Sequence, residues 1–179
     1  MKKIFSTILT IFLFNTFVYS QDTVRTYYSE DSLIINEEYE VTSGTNIFNG
    51  FYKFYIENGQ LAEHREFKNG KIWNVINIYD SLGNIITNKG TLINGTGTTH
   101  NYFDGNLMAI CTYKNGVKHG QYIKFWKNGV VRETGNYFEG ERCGTWYKYQ
   151  KNGHLPYGHK TVFSIECGKG EANKDWNIK

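Results

Sequence analysis

The chain has 179 residues, with 20 Lys and Arg against 17 Asp and Glu, a near balance that excludes the concentrated basic face a phosphate-binding protein needs. Its 14 Tyr, 12 Phe, 4 Trp and 19 Gly stand against a single proline, Pro156. Aromatics suit pleated strands and glycine supplies the positive φ of tight turns, so the composition predicts many short strands joined by hairpins in one domain.

Residues 1–20 read as a signal peptide. Lys2 and Lys3 precede an apolar run from Ile4 to Phe17, and Val18 and Ser20 lie before a cut after Ser20, as in an exported chain. The run is shorter than the roughly 20 apolar residues that span a bilayer, and Ser, Thr and Asn interrupt it. The residue after the cut is Gln21 rather than the cysteine a lipid anchor requires. Removing Lys2 and Lys3 leaves 18 basic against 17 acidic side chains, a sum of +1. The expected location is secreted or periplasmic.

Residues 21–49 are expected to form capping strands or a degenerate first repeat. Within them "YYSEDSLIINEEYEV" spaces Tyr28 and Ile34 like Tyr55 and Leu61 further on, and the end units of arrays are atypical.

Residues 50–168 carry a repeat. Glycines recur at Gly59, Gly83, Gly105, Gly129 and Gly153, at intervals of 24, 22, 24 and 24. Four residues before them stand Tyr55, Tyr79, Phe125 and Tyr149, with Tyr102 three before Gly105 in a shortened unit. Two residues after the same glycines come Leu61, Ile85, Leu107, Val131 and Leu155, which predicts that the two slots face each other across a hairpin. Asn58-Gly59, Asp104-Gly105, Asn128-Gly129 and Asn152-Gly153 are dipeptides suited to a tight type I′ turn. A second, looser turn is expected at Asn69-Gly70, Asn94-Gly95, Asn115-Gly116 and Glu139-Gly140. The fold class is therefore all-β, an elongated antiparallel sheet of about five tandem hairpins whose aromatic rows cover one another.

The clearest units also have a leading glycine, such as Gly120 and Gly144, with aromatics two and five residues later: Tyr122 and Phe125, then Trp146 and Tyr149. Those offsets do not share a face of a regular strand, so either a bulge intervenes or the rows lie on opposite faces. The unit around Gly83 has Asn74 where this glycine belongs. Gly168 keeps the period from Gly144, after which residues 169–179 form a polar tail.

The stretches "GQYIKFWKNGVVRETGNYFEG", "GTWYKYQKNGHL" and "GFYKFYIENGQLAEHREFKNG" resemble the MORN repeat in its bacterial variant form, over roughly residues 50–155. The resemblance implies a fold of tandem hairpin repeats. It also implies kinship with the YwqK-type antitoxin family of toxin–antitoxin systems, whereas other MORN-type proteins serve as membrane-associated or scaffolding surfaces.

Little in the chain points to chemistry. His64, His100, His119, His154 and His159 are scattered, and the last two, five apart, point to opposite faces of a strand; solvated loop positions are expected. Cys111, Cys143 and Cys167 are an odd number for an exported chain. Cys143 and Cys167 occupy the same slot in adjacent units, so a regular array holds them two strands, roughly 9 to 10 Å, apart, beyond the about 7 Å that a disulfide tolerates. No bond between them is expected, and all three read as small half-buried residues; the weaker alternative is a staple where the last unit breaks from regularity. Adjacent acids such as Glu37 and Glu38 point opposite ways and read as solvated. No phosphate-binding, dinucleotide, nucleophile-elbow or metal-protease motif is present.

The expected function is thus non-enzymatic, with no cofactor and no nucleic acid: binding of an unidentified partner protein through the sheet surface. The alternative is an exported envelope module that contacts glycan or lipid. Phe54, Trp126 and Tyr147, aromatics outside the repeating slots, are the candidate partner surface, unless they merely cover the second face of a thin sheet.

Overall fold

A computed structural model describes residues 20–155, the strand Lys160–Val162 and Cys167. Nearly all of the expected leader and the whole polar tail lie outside the described residues, as does His159. Within them the chain is all-β, with no helix.

Two antiparallel sheets hold the strands in sequence order. The first contains β1 (Gln21–Tyr27), β2 (Ile35–Thr42), β3 (Phe48–Tyr55), β4 (Leu61–Lys68) and β5 (Lys71–Ile78). The second contains β6 (Gly97–Phe103), β7 (Asn106–Lys114), β8 (Val117–Phe125), β9 (Val131–Phe138), β10 (Glu141–Lys148) and the short β11 (Lys160–Val162). The predicted slots do meet: Tyr55 opposes Leu61, Tyr79 opposes Ile85, Tyr102 opposes Leu107 and Phe125 opposes Val131. In the first hairpin the Tyr28 N–H likewise donates to the Ile34 carbonyl.

Except at Asp104-Gly105, which is tight as expected, the turn types are the reverse of those expected. At Asn69-Gly70, Asn94-Gly95, Asn115-Gly116 and Glu139-Gly140 both residues have positive φ, so the turns expected to be looser are the tight ones. Of the inner turns only Asp104-Gly105 has this geometry, and it connects the directly paired Phe103 and Asn106, which accounts for the shortened unit. Elsewhere the inner asparagine has negative φ. Asn58, Asn128 and Asn152 use their side-chain oxygens to accept the N–H two residues on, from Gln60, Val130 and His154 at 3.0, 3.2 and 3.1 Å. Such Asx turns suit a negative-φ asparagine followed by one positive-φ glycine.

Glu139 sits at φ 50° with neither the freedom of glycine nor the short side chain of asparagine, a conformation that costs an ordinary residue about 1–2 kcal/mol. Glu139→Asn is expected to stabilise the chain by about 0.5–1 kcal/mol, measured as an increase in the urea midpoint at unchanged slope.

The leading glycines mark bulges. Between Tyr39↔Tyr52 and Val41↔Phe48, β3 carries two more residues than β2, and β8 and β10 gain two in the same way against the strands before them. Gly50, Gly120 and Gly144 lie in these insertions at φ 126°, 88° and 61°, where an L side chain would be strained. The aromatics two and five residues after the glycine lie on opposite faces: Tyr52 pairs with Tyr39, whereas the Tyr55 hydroxyl reaches Glu38 on the Lys53 side. Asn74 fills a different slot from the one expected. Its side chain accepts the Asn94 N–H at 2.8 Å, as Asn49, Thr96 and His119 accept those of Asn69, Asn115 and Glu139. One polar side chain thus caps the following tight turn in each unit.

The regular ladder breaks after β5. Residues 79–96 hold only isolated bridges, yet the segment still bonds on both sides: Ile86 N–H to Ile78 O and Val75 N–H to Leu92 O on the β5 side, Thr91 N–H to Thr98 O on the β6 side. Leu92 is buried there with Ile72, Val75 and Ile78, and Phe67, Tyr102 and Tyr113 pack against them. This core joins the two sheets where the repeat pattern is poorest.

The expectation for the cysteines is overturned. Cys143 and Cys167 form a disulfide with their Cα atoms 5.2 Å apart. Gln121 opposes Asn136, so one period on Thr145 would oppose Lys160; it opposes Val162 instead. This two-residue slip, and a final strand of three residues, end the regularity on which the separation of equivalent slots depended. Cys111 is free and, like Cys143, fully buried rather than half-buried, and burial pushes its thiol pKa up.

Candidate functional site

Each sheet carries a packed aromatic cluster. On the first sheet Tyr39, Phe48, Tyr52 and Phe67 pack with ring centroids 4.7 to 6.3 Å apart. On the second, Tyr122, Tyr137 and Trp146 pack at 5.2 to 5.7 Å. Between them Arg65 pairs with Glu63 at 2.8 Å and donates to the Asn101 side chain at 2.9 Å, tying the sheets together. Burial first, and then the hydrogen bond to Glu37 at 2.7 Å, keep the Tyr52 phenol protonated far above its ordinary range. These rings are packed against one another and hold the fold.

Glu37 and Glu38 do point to opposite faces, but neither is merely solvated. Glu37 accepts from Tyr52, and Glu38 is buried between Arg25 and Lys53 at 2.7 and 3.1 Å, linking β1, β2 and β3. Burial alone would raise the Glu38 carboxyl, but the bonds and charges of Arg25 and Lys53 outweigh it and hold the group below its usual 4.5. A carboxyl depressed on folding contributes stability that is fully present above 4.5 and is lost as pH falls through the folded value. The urea midpoint is therefore expected to drop below pH 4.5 in wild type, and the gap between wild type and Glu38→Gln should narrow in that range.

The histidines are placed differently from the loops expected of them. His64, His100 and His119 lie in β4, β6 and β8 and are half-buried, and of the described histidines only His154 is in an exposed turn. Among the described residues no three His, Cys, Asp or Glu come together as metal ligands.

The three candidate surface aromatics do not form one group. Trp126 and Tyr147 are both half-buried and meet at Tyr149: the Trp126 Nε1 donates to the Tyr149 carbonyl at 3.0 Å, and the Tyr147 and Tyr149 rings are 6.5 Å apart. Arg132 stacks 4.5 Å from the Trp126 ring, and the Lys151 ammonium lies 5.7 Å from it. Trp126 therefore links successive inner turns while presenting a ring framed by two cations. Phe54, in contrast, lines a cleft of about 630 Å³ at the inner-turn end of the first sheet, beside Tyr28, Tyr79, Tyr102 and Phe103.

Sequence reasoning missed two exposed residues on this edge. Leu82 is 83% exposed and Phe103 70%. The signal was available: Leu82 stands where other units have Asn58, Asn128 and Asn152, and Phe103 where they have Glu57, Ser81, Lys127 and Lys151. An apolar residue in a slot that is otherwise polar has no role in the repeat itself.

The MORN repeat variant family matches residues 49–69 and 118–139, the β3–β4 and β8–β9 hairpins. The similar stretch at 144–155 lies outside both matches. Repeats of this family are non-catalytic modules that engage proteins or membrane lipids. No curated protein and no solved structure matches the chain.

Proposed function

We propose that the chain is an exported, non-enzymatic binding module that recognises a partner protein through the Trp126–Tyr147 surface of its second sheet. The observation that carries this reading is Trp126 itself, a half-buried ring between Arg132 and Lys151 beside a tyrosine pair. Aromatic and arginine side chains held rigidly at a surface are the groups that dominate protein interfaces. The family match supports an interaction role, and the Cys143–Cys167 bond suits an oxidising compartment and so supports export. The resemblance to antitoxins suggests a toxin as the partner; export argues against one confined to the cytoplasm.

The test is affinity capture from periplasm or culture medium with wild type, Trp126→Ala and Tyr147→Ala. Tyr147→Ala is expected to retain the fold and lose a specific protein partner about tenfold or more, the loss typical of an interface anchor. Retention on envelope polysaccharide without any protein would overturn the reading in favour of glycan or lipid contact. Unchanged capture by both folded variants would remove this surface from consideration.

A further inference from the structure

The cleft beside Phe54 has a distinctive chemistry. Its walls are the rings of Tyr28, Phe54, Tyr79, Tyr102 and Phe103, and four carboxylates, Glu57, Glu63, Asp80 and Asp104, stand around it. No Lys, Arg or His lines it. Glu63 is neutralised by Arg65 at 2.8 Å and Asp104 by Lys127 at 3.3 Å, but Glu57 and Asp80 have no cationic partner among the described residues. Asp80 is occupied in its own turn, accepting from the Asn84 side-chain amide at 3.0 Å and from the Leu82 and Asn84 N–H groups at 2.9 Å, and these bonds, the Asn84 amide first, hold its carboxyl below the usual range. The cleft therefore carries about two uncompensated negative charges against aromatic walls.

A cation on an aromatic face is favoured by the ring quadrupole, and unpaired carboxylates add Coulomb attraction of the same sign. A neutral sugar would use the rings and leave the charges unanswered; an anion would be repelled. Phe103 lines the cleft and is largely exposed, and the exposed Leu82 stands in the turn directly after the lining residue Ser81, so a bare inorganic cation would leave apolar surface beside it uncovered. We propose that the cleft receives a lysine or arginine side chain of the partner protein, with the apolar residues flanking it resting on Phe103 and Leu82. This deepens the reading above and rests on the partner being a protein.

The experiment is a heteronuclear NMR titration of the full exported chain with acetyl-Leu-Arg-Leu-amide, with its Leu-Glu-Leu counterpart and with an N-acetylglucosamine trimer. The arginine peptide is expected to shift amides at 54–58, 79–83 and 102–105 saturably, and neither other probe should do so. Phe103→Ala and Glu57→Gln should each weaken the arginine peptide by about threefold, as for an exposed cation–π or ionic contact, with the remaining spectrum unchanged as evidence of folding. No shift with the arginine peptide, equal shifts with the glutamate peptide, or preference for the sugar would overturn the cation site. If the site falls while capture of a partner still depends on Tyr147, only this inference fails. If the arginine peptide binds but capture yields polysaccharide and no protein, the cleft stands and the protein-binding reading fails.

Discussion

Gly135→Ala is expected to destabilise the chain by about 3 kcal/mol, at the upper end for overpacking a filled core. Gly135 lies directly beneath the Trp146 indole, and a Cβ there would fall well inside van der Waals contact of its Cγ, Cδ2 and Cε2 atoms. The ring has little freedom to retreat. It is 1% exposed, packed by Tyr122 and Tyr137, covered by Arg142 at 4.0 Å, and its Nε1 donates to the Asn136 carbonyl. Trp146→Ala alone should cost about 3–5 kcal/mol through the cavity it leaves. The two effects share one space, so adding Gly135→Ala to Trp146→Ala should cost far less than it does in wild type. Urea unfolding of the four proteins in the cycle checks this; additive losses would show that Gly135 acts through its backbone rather than by its approach to the ring.

Breaking the Cys143–Cys167 bond is expected to have an effect of similar size. The bond spans 24 residues, and closing a loop of that length in the unfolded chain corresponds to about 3.5 kcal/mol by chain entropy. Cys143→Ser carries an additional penalty, because position 143 is fully buried and a hydroxyl there needs a partner. Cys167→Ser is therefore the cleaner variant. Its loss should equal the loss caused by reducing wild type, and reductant should leave Cys167→Ser itself unchanged. Peptide mapping without reduction should recover the 143–167 pair, with Cys111 alkylated only after unfolding. A map with three free thiols would contradict the structure.

What could be read from sequence was local. A glycine every 24 residues, an aromatic four before it and an aliphatic two after it are enough to pair Tyr55 with Leu61 and Phe125 with Val131, because a hairpin's register depends only on the few residues of its own turn. The turn types were misread because Asn-Gly admits two solutions. The dipeptide alone does not tell whether the asparagine adopts positive φ itself or keeps negative φ and caps its own turn with its side chain.

The candidate site was legible only in part. Trp126 and Tyr147 stand out as aromatics beyond the repeating slots and do come together, but through Tyr149, a residue assigned wholly to the repeat. Phe54 belongs to a different surface, one built by turns spread over 75 residues of chain, from Tyr28 to Phe103. Phe103 on its lining, and Leu82 in the adjoining turn, are visible in the sequence once each turn slot is compared across units.

The sequence by itself determined the all-β class, the hairpin unit and the partners within each unit, since these follow from spacing and φ preference over fewer than ten residues. Only the tertiary structure decided the split into two sheets, the disulfide and the cleft. The irregular stretch 79–96 separates the two sheets, the cleft gathers turns from both of them, and the disulfide forms where the last strand leaves the regular register. At the last strand Thr145 opposes Val162, two residues from the regular register, and Cys167 lies bonded to Cys143 rather than two strands away from it.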